Sequence, residues 1–322
     1  MNEATIRKKS MRESLKEGLS LVLFPLSLLW DGLYRLRRFS YKFGLLKKKT
    51  FEVPIISVGN ITFGGTGKTP FSIWLAEYLA TLDKKVMILM RGYKGSLENN
   101  SGILRAGKKL GFSPFEFGDE ALLLARRLKN ASVVVGKKRS DNLDYYFPSE
   151  KSDVVLLDDG HQHLKLDRDF NIVLFDSLMD LSKYKLAPCG YLREGFSALK
   201  DADFVVLGRA DQASAHQLEG LKKIIKPHLR SEVPFAEIGY GATGLYDTNF
   251  IKTKEINDLK GMKVICVAGV ASPESFFNLV DSLEATIVKR YSYPDHYFFN
   301  ESDVKGLIKE AEELGAFLLT TE

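Results

Sequence analysis

The twelve residues NITFGGTGKTPF, from Asn60 to Phe71, constrain this chain more than any other stretch. A β-branched apolar run, Val53 to Val58, leads into them. Ile73, Leu75, Ala76, Leu79 and Leu82 follow at roughly helical spacing, before a second apolar run at Val86 to Leu89. The pattern predicts strand, glycine-rich turn, helix and strand, with Pro70 early in the helix, where its missing N–H costs little. In that setting the N–H groups of the turn and the positive end of the helix converge on anionic oxygens. Gly64, Gly65, Thr66 and Gly67 belong to the turn, Lys68 is placed to reach terminal phosphates, and the Thr69 hydroxyl is placed to ligate Mg2+. The usual spacing puts a glycine at the position held here by Thr62, so Gly64 and Gly65 carry the turn instead.

A nucleotide site of this kind needs acids delivered from a neighbouring strand end. In DVVLLDDGHQHLKLDRDFNIVLFD, Val154 to Leu157 is a fully apolar strand, and Asp158 and Asp159 stand at its C-terminal end. In open parallel sheets ligands bind at that edge. Side chains alternate near a strand end, so one carboxylate can hold Mg2+ while the other accepts a proton from an attacking hydroxyl. His163, four residues after Asp159, is spaced to hydrogen-bond a carboxylate. His161 and His163 also form an H-x-H pair, a metal site if read alone, but no third soft ligand lies near and the loop calls for Mg2+. Asp119, at the start of the helical pattern FGDEALLLARRL, reads equally as an N-terminal cap or as a participant in metal chemistry.

At 322 residues, 45% of them apolar and 27% charged, the chain has room for one large or two medium domains and no sign of dominant disorder. Its formal charge of +5 is concentrated, since residues 31–50 hold seven Lys and Arg against the single acid Asp31. A basic stripe at one end argues against a general nucleic-acid binder and for one local anionic surface. Just before it, GLSLVLFPLSLLW is apolar over thirteen residues, from 18 to 30. A helix needs about twenty to cross a bilayer. No small-residue cleavage pattern follows, which argues against a secretory signal. Bases beside Trp30, Tyr34, Phe39, Tyr41 and Phe43 suit a helix lying among lipid headgroups; a helix packed on its own domain is the other reading. Cys189 and Cys266 lie far apart without metal-like spacing and read as reduced thiols.

Taken together, VGNITFGGTGKTP, RGY, GDE, LLDDGHQHLKLDRDFNIVLFD and GYLRE resemble the tetraacyldisaccharide 4'-kinase family, the lipid A 4'-kinases of Gram-negative bacteria. The similarity is colinear from the basic N-terminal helix through VVLGRAD to LLTTE. It implies transfer of the ATP γ-phosphoryl group, with Mg2+, to the 4'-hydroxyl of a tetraacyl glucosamine disaccharide 1-phosphate. It also implies peripheral, monotopic attachment at the cytoplasmic face of the inner membrane, and no obligate protein partner. Residue by residue, it places the phosphate loop on Thr62 to Thr69, with Lys68 and Thr69 on phosphate and Mg2+, and a catalytic pair on Asp159 and His163. Asp158 and Asp119 match acids of the metal and phosphate site. Arg193 and Glu194 match the substrate-binding LRE motif, and Arg91 and Tyr93 lie in the matching RGY turn. His296, in YPDHY, matches a position that faces the nucleotide from the smaller domain. His161 stands where the family has a bulky apolar or aromatic residue, and Cys189 and Tyr191 alter the approach to LRE. The family pattern continues past TTE with a lysine and an aspartate, so the native chain is expected to extend beyond Glu322.

Strands at roughly 53–58, 86–90, 132–136, 153–157, 171–175 and 203–207 alternate with helical stretches. That alternation predicts an α/β fold, a P-loop kinase-like doubly wound and mostly parallel sheet with helices on both faces. The expected divisions are a basic membrane-association segment over 1–45, a P-loop kinase domain over 46–225, and linker strands with a smaller α/β lobe over 226–322. SEVPFAEIGYGATGLYDTNF reads as the β linker, and GVASPESF as a structural turn, since it lacks a lysine. The resemblance implies a nucleotide in the cleft between two lobes. A second class uses the same loop: a membrane-attached P-loop ATPase or GTPase switch acting on a protein partner, with Gln162 positioning water and VVLGRAD reading a base.

Overall fold

The structure is a computed structural model that describes residues 3–107, 112–248, 251–270, 272–295 and 297–321. The chain forms two compact units, residues 1–239 and 240–322. The first opens on the long helix α1 (Glu3–Lys42), which contains Pro25. It continues through β1 (Ile55–Gly59), α2 (Lys68–Thr81), β2 (Val86–Met90), β3 (Gly102–Arg105), α3 (Pro114–Phe117), α4 (Asp119–Arg127) and β4 (Ala131–Val135). Next come α5 (Arg139–Glu150), β5 (Val154–Asp158), β6 (Phe170–Asp176), β7 (Phe204–Gly208), α6 (Ala215–Ile225) and β8 (Phe235–Ile238).

These eight strands make one sheet in the order β3-β4-β2-β5-β1-β6-β7-β8. Every neighbouring pair is parallel except β3 with β4. The mostly parallel, doubly wound α/β sheet is therefore the architecture observed, and each of the six expected strands lies within two residues of its place. Every residue of β2, β4 and β5 is buried. Strands covered on both faces read as unbroken apolar runs, which is how VMILM and VVLLD announce themselves. On one face Ile73 and Ala76 of α2 and Ala121, Leu122 and Leu124 of α4 cover Ile88, Val133 and Leu156. On the other, Leu143 of α5 packs with Met87, Leu89, Val134 and Leu157. Each buried Val, Leu, Ile or Met among them contributes about 1.5–3 kcal/mol by leaving water.

Within this sheet β3 escapes the sequence reading, and β8, expected as a linker strand, is found instead at the sheet's edge. β3 is four residues long, and β8 lies in the stretch read as linker; it pairs in parallel with β7 and carries the first unit past residue 225 to Gly239. No helix among the described residues is long and apolar enough to cross a membrane.

The second unit holds the short antiparallel pair β9 (Leu245–Tyr246) and β10 (Lys252–Lys254). It then runs β11 (Lys263–Ala268), α7 (Pro273–Ser282), β12 (Thr286–Ser292), α8 (Glu301–Glu313) and β13 (Phe317–Thr320). Its three-stranded parallel sheet has the order β12-β11-β13. Phe277 and Val280 of α7 cover one face, and Leu307 and Ala311 of α8 the other. Cys266 is buried in this core, and both cysteines are free thiols.

The step that positions the site is the insertion of β5 beside β1. In that register Val58 stands opposite Asp158, so the loop after β1 and the acids after β5 leave the sheet side by side. The two exits are crowded. A Cβ on Gly59 would lie 2.6 Å from the backbone nitrogen of His161 and 2.7 Å from its Cβ. Gly59→Ala is accordingly expected to cost about 1–3 kcal/mol through overpacking. It is also expected to lower activity by displacing the turn at Asp159. Urea midpoints and turnover measured on the same preparation check this, and a variant indistinguishable from wild type in both would show that the crossing has slack.

Candidate active site

After Gly59 the chain turns through the glycine-rich loop into α2. Gly64 (φ 96°) and Gly67 (φ 78°) hold left-handed conformations that only glycine adopts without strain. Gly67 is the N-cap of α2 and has no side chain with which to cap the first helical amides. Asn60 ties the root of the loop, donating from Nδ2 to Thr66 Oγ1 at 3.0 Å and to Thr62 Oγ1 at 3.4 Å. Thr62 is consequently buried at that root, while Gly64 and Gly65 form the exposed tip. A second strap runs antiparallel to the root. The Phe63 amide donates to the Tyr191 carbonyl at 2.7 Å, the Arg193 amide donates to the Ile61 carbonyl at 2.8 Å, and Thr62 bridges Leu192. The LRE segment is thus sewn to the phosphate loop by backbone hydrogen bonds.

Asp158, the last residue of β5, is buried, and its Oδ1 accepts from Ser72 Oγ of α2 at 2.8 Å. Asp159 leaves the strand with φ 47°. A left-handed non-glycine residue costs about 1–2 kcal/mol, and aspartate is among the side chains that tolerate it. The Asp159 carboxylate pairs with Lys68 Nζ at 3.5 Å and Arg193 Nη1 at 3.1 Å, and its carbonyl accepts from Arg139 Nη1 at 3.0 Å. Burial pushes the Asp158 carboxyl up against the pull of Lys68, and the negative charge of Asp159 adds to the rise. Burial acts the same way on Asp159, but Lys68, Arg193 and Arg139 outweigh it and hold that carboxyl below its ordinary range. Two adjacent acids therefore have opposite electrostatic settings.

The remaining expected residues divide. The Thr69 hydroxyl donates to Glu120 Oε1 at 3.3 Å. Asp119, the first residue of α4, accepts the Glu120 amide at 3.0 Å in the manner of a helix terminus. Glu120 was not singled out by sequence, although GDE places both acids in the first turn of α4. Arg91 binds Glu98 at 2.6 Å, and Tyr93 is exposed in the same turn, which packs against the α3–α4 junction where Gly118 approaches the Tyr93 carbonyl. Glu194 is buried and ion-paired to Arg38 of α1 at 2.6 Å. His296 lies outside the described residues.

The pairing expected of Asp159 with His163 is not made; Lys68 and Arg193 occupy that carboxylate instead. His163 Nε2 is buried without a hydrogen-bond partner, and burial together with Arg139, Arg168 and Arg37 pushes the imidazole down to about 3. His161 is buried, and burial plus Arg38 and Arg168 keep it neutral against the opposing pull of a backbone contact at Ala198. Among the described residues no group of three His, Cys, Asp or Glu side chains could hold an ion. Mg2+ asks for less: one or two hard carboxylates, with phosphate and water completing its shell. The hydroxyl of Thr69, the Glu120 carboxylate it touches, and buried Asp158 beside Lys68 are an all-oxygen set that fits. Arg139, a buried cation behind both aspartates, is a further site residue that sequence alone missed, because nothing in GKKRSDN separates it from its surface neighbours.

Residues 19–322 match the family described as tetraacyldisaccharide-1-P 4'-kinase. The tetraacyldisaccharide 4'-kinase of Syntrophotalea carbinolica is 34% identical over 300 residues, covering 93% of this chain and 81% of that protein. That of Halothermothrix orenii is 33% identical over 316 residues, covering 94% and 82% respectively. The crystal structure of the "apo" form of LpxK from Aquifex aeolicus in complex with ATP is similar at a TM-score of 0.75 and 32% identity, covering 94% of this chain and 88% of that one.

His163 makes a stability prediction. Its imidazole titrates at 6.5 when unperturbed and at about 3 in the fold, so on acidification the unfolded chain takes the proton first. Stability from this group is complete above 6.5 and is lost as pH falls towards about 3; near pH ~5 the loss is on the order of 1–2 kcal/mol. His163→Asn, which cannot titrate, is expected to lose less stability than wild type when denaturant midpoints are compared at about pH 7 and about pH 5. Equal losses would mean that His163 is already charged or solvated in the fold.

Proposed function

The chain belongs to the tetraacyldisaccharide-1-phosphate 4'-kinase family, and from that premise we propose how its residues move the γ-phosphoryl group of ATP to the 4'-hydroxyl of a tetraacyl glucosamine disaccharide 1-phosphate. The observation that carries the assignment of roles is the convergence of Lys68 and Arg193 on the single carboxylate of Asp159 beside the glycine-rich turn. A triphosphate seated on the loop amides offers Lys68 a stronger anion, and the lysine exchanges Asp159 for it. Lys68 and the amides then offset the charge that spreads over the phosphoryl oxygens, which in this chemistry is most of the catalysis. Thr69, Glu120 and Asp158 would hold Mg2+, which when bound supplies further neutralisation of phosphate charge.

Released from Lys68, the Asp159 carboxylate accepts the proton of the sugar hydroxyl while Arg193 keeps it in place. Among the donors of Arg193, Nε is buried without a protein partner. We assign that donor to an oxygen of the acceptor or of the phosphoryl group in transfer. The switch reading is not favoured: Gln162, its water-positioning residue, donates its side-chain amide to the Asn60 carbonyl at 2.8 Å.

We assign α1 to the cytoplasmic surface of the inner membrane. Leu28, Leu29, Leu33, Leu36 and Phe39 are exposed along it and Phe43 just after it, with Lys42, Lys47 and Lys48 at that end, an apolar face with bases at headgroup level. The acyl chains of the acceptor stay in the leaflet while its sugar reaches the site.

Asp159→Asn isolates the proposed base, because asparagine tolerates the left-handed backbone. Transfer of label from ATP to the lipid is expected to fall by about 10²–10⁴-fold in kcat. ATP affinity, measured by calorimetry, is expected to hold or rise, since Lys68 loses a competing anion. Equal losses in both would move Asp159 to metal binding. Leu36→Ser with Phe39→Ser is expected to weaken cosedimentation with anionic vesicles by about tenfold or more; unchanged sedimentation would detach this face from the membrane.

A further inference from the structure

The described part of α1 has a second face, and it is not apolar. Ser27, Trp30, Asp31, Arg37 and Arg38 recur with helical spacing along one side. All of them bond to loops of the site. Ser27 Oγ donates to the Leu186 carbonyl at 3.3 Å, and Arg37 Nη1 to the Gln162 carbonyl at 2.9 Å. The densest contacts fall on three consecutive residues. Trp30 Nε1 donates to the carbonyl of Arg193 at 2.8 Å, Arg38 Nε binds the carboxylate of Glu194 at 2.6 Å, and Asp31 Oδ1 accepts the amide of Gly195 at 3.0 Å. Asp31 is buried, and it is the sole acid among the bases of residues 31–50. Arg38 also reaches Asp201 and the His161 carbonyl.

Arg193 is therefore clamped on both sides. Its amide is held by Ile61 at the root of the phosphate loop and its carbonyl by Trp30 of α1, while its guanidinium lies on Asp159. The fit at Gly195 is close: a Cβ there would lie 2.5 Å from Asp31 Oδ1. The backbone of Gly195 is ordinary (φ −63°, ψ 159°), so the missing side chain makes room for the Asp31 carboxylate of α1 and not for an unusual turn.

We propose that α1 is a brace of the active site as well as a membrane-facing segment, with Trp30, Asp31 and Arg38 as positioning residues that hold Arg193 against Asp159. The inference rests on the roles given above to Arg193 and Asp159. It predicts that lifting α1 from the 193–195 segment slows turnover without weakening attachment to lipid or binding of ATP.

The test uses the full chain, labelled ATP and a tetraacyl disaccharide 1-phosphate in mixed micelles, where attachment does not limit the rate. Gly195→Ala drives the Asp31 carboxylate off the Gly195 amide and loosens α1 there, Trp30→Phe deletes one N–H donor while keeping a ring, and Gly195→Ala with Asp31→Ser restores room while keeping an oxygen acceptor. A displacement near one ångström costs about 10²-fold in a positioned site. Gly195→Ala is accordingly expected to lower kcat by about 10–100-fold, with KM for ATP and cosedimentation with anionic vesicles unchanged. Trp30→Phe is expected to lower kcat less, and the double variant to recover most of the loss. A wild-type kcat in Gly195→Ala, or a double variant no better than the single, overturns the brace. If those variants turn over normally while Asp159→Asn is inactive, the brace falls and the kinase site stands. If wild type transfers no label to the lipid, the reading of the site falls first.

Discussion

One carboxylate held between two cations organises this protein. Lys68 comes from the first turn of α2 and Arg193 from a loop 125 positions later, and both meet Asp159 after β5. All three side chains are partly shielded, with exposures of 14%, 22% and 34% for Lys68, Arg193 and Asp159. Coulomb attraction there is stronger than at an open surface, yet the groups remain reachable by solute. Such an arrangement suits an exchange of partners. Each cation is held by an internal anion and is ready for an external one.

The geometry depends on where β5 enters the sheet. Strands consecutive in sequence, β1 and β2, are not neighbours; β5 lies between them and aligns Asp158 with Val58. The acids leave the sheet at the same level as the phosphate loop because of that register. Glycine makes the crossing possible. Gly59 has no room for a side chain against His161, and a Cβ on Gly160 would meet Ser57 Oγ at 2.5 Å. Asp159 takes the left-handed conformation between them. Local strain is tolerated at this turn because the bonds of Arg139, Arg193 and Lys68 over-determine it.

Much of this was legible from residue order. VPIISVGN, VMIL, VVLLD and NIVLF are apolar runs that only a sheet covered on both faces would bury, and the lysine-threonine pair after glycines marks the anion site. The six strands so found were correct because burial on both faces leaves little ambiguity. β8 was expected as a linker strand, and its place in the large sheet was hidden because FAEI, half-buried at an edge, carries neither a long apolar run nor clean alternation. Glu120 and Arg139 were hidden for another reason. Their roles come from the tertiary approach of α4 and α5 to the loop, and charged residues at helix starts look alike in sequence. A contact of His163 with Asp159 was expected because a spacing of four suggests it, while the turn after Asp159 sends the ring among arginines. The N-terminal helix was read as either membrane-facing or packed on its domain. Its described residues present both an exposed apolar face and a polar face bonded to the 193–195 segment.

The central claim is that Lys68 changes partners when nucleotide arrives, leaving Asp159 facing the phosphoryl group. A crystal structure of this chain with Mg2+ and a non-hydrolysable ATP analogue tests it most directly. The account predicts Lys68 Nζ on phosphate oxygens, its contact with Asp159 broken, and the Asp159–Arg193 pair kept, with the terminal phosphate facing that carboxylate. An analogue bound with the Lys68–Asp159 pair intact, and its terminal phosphate turned away from Asp159, would contradict it.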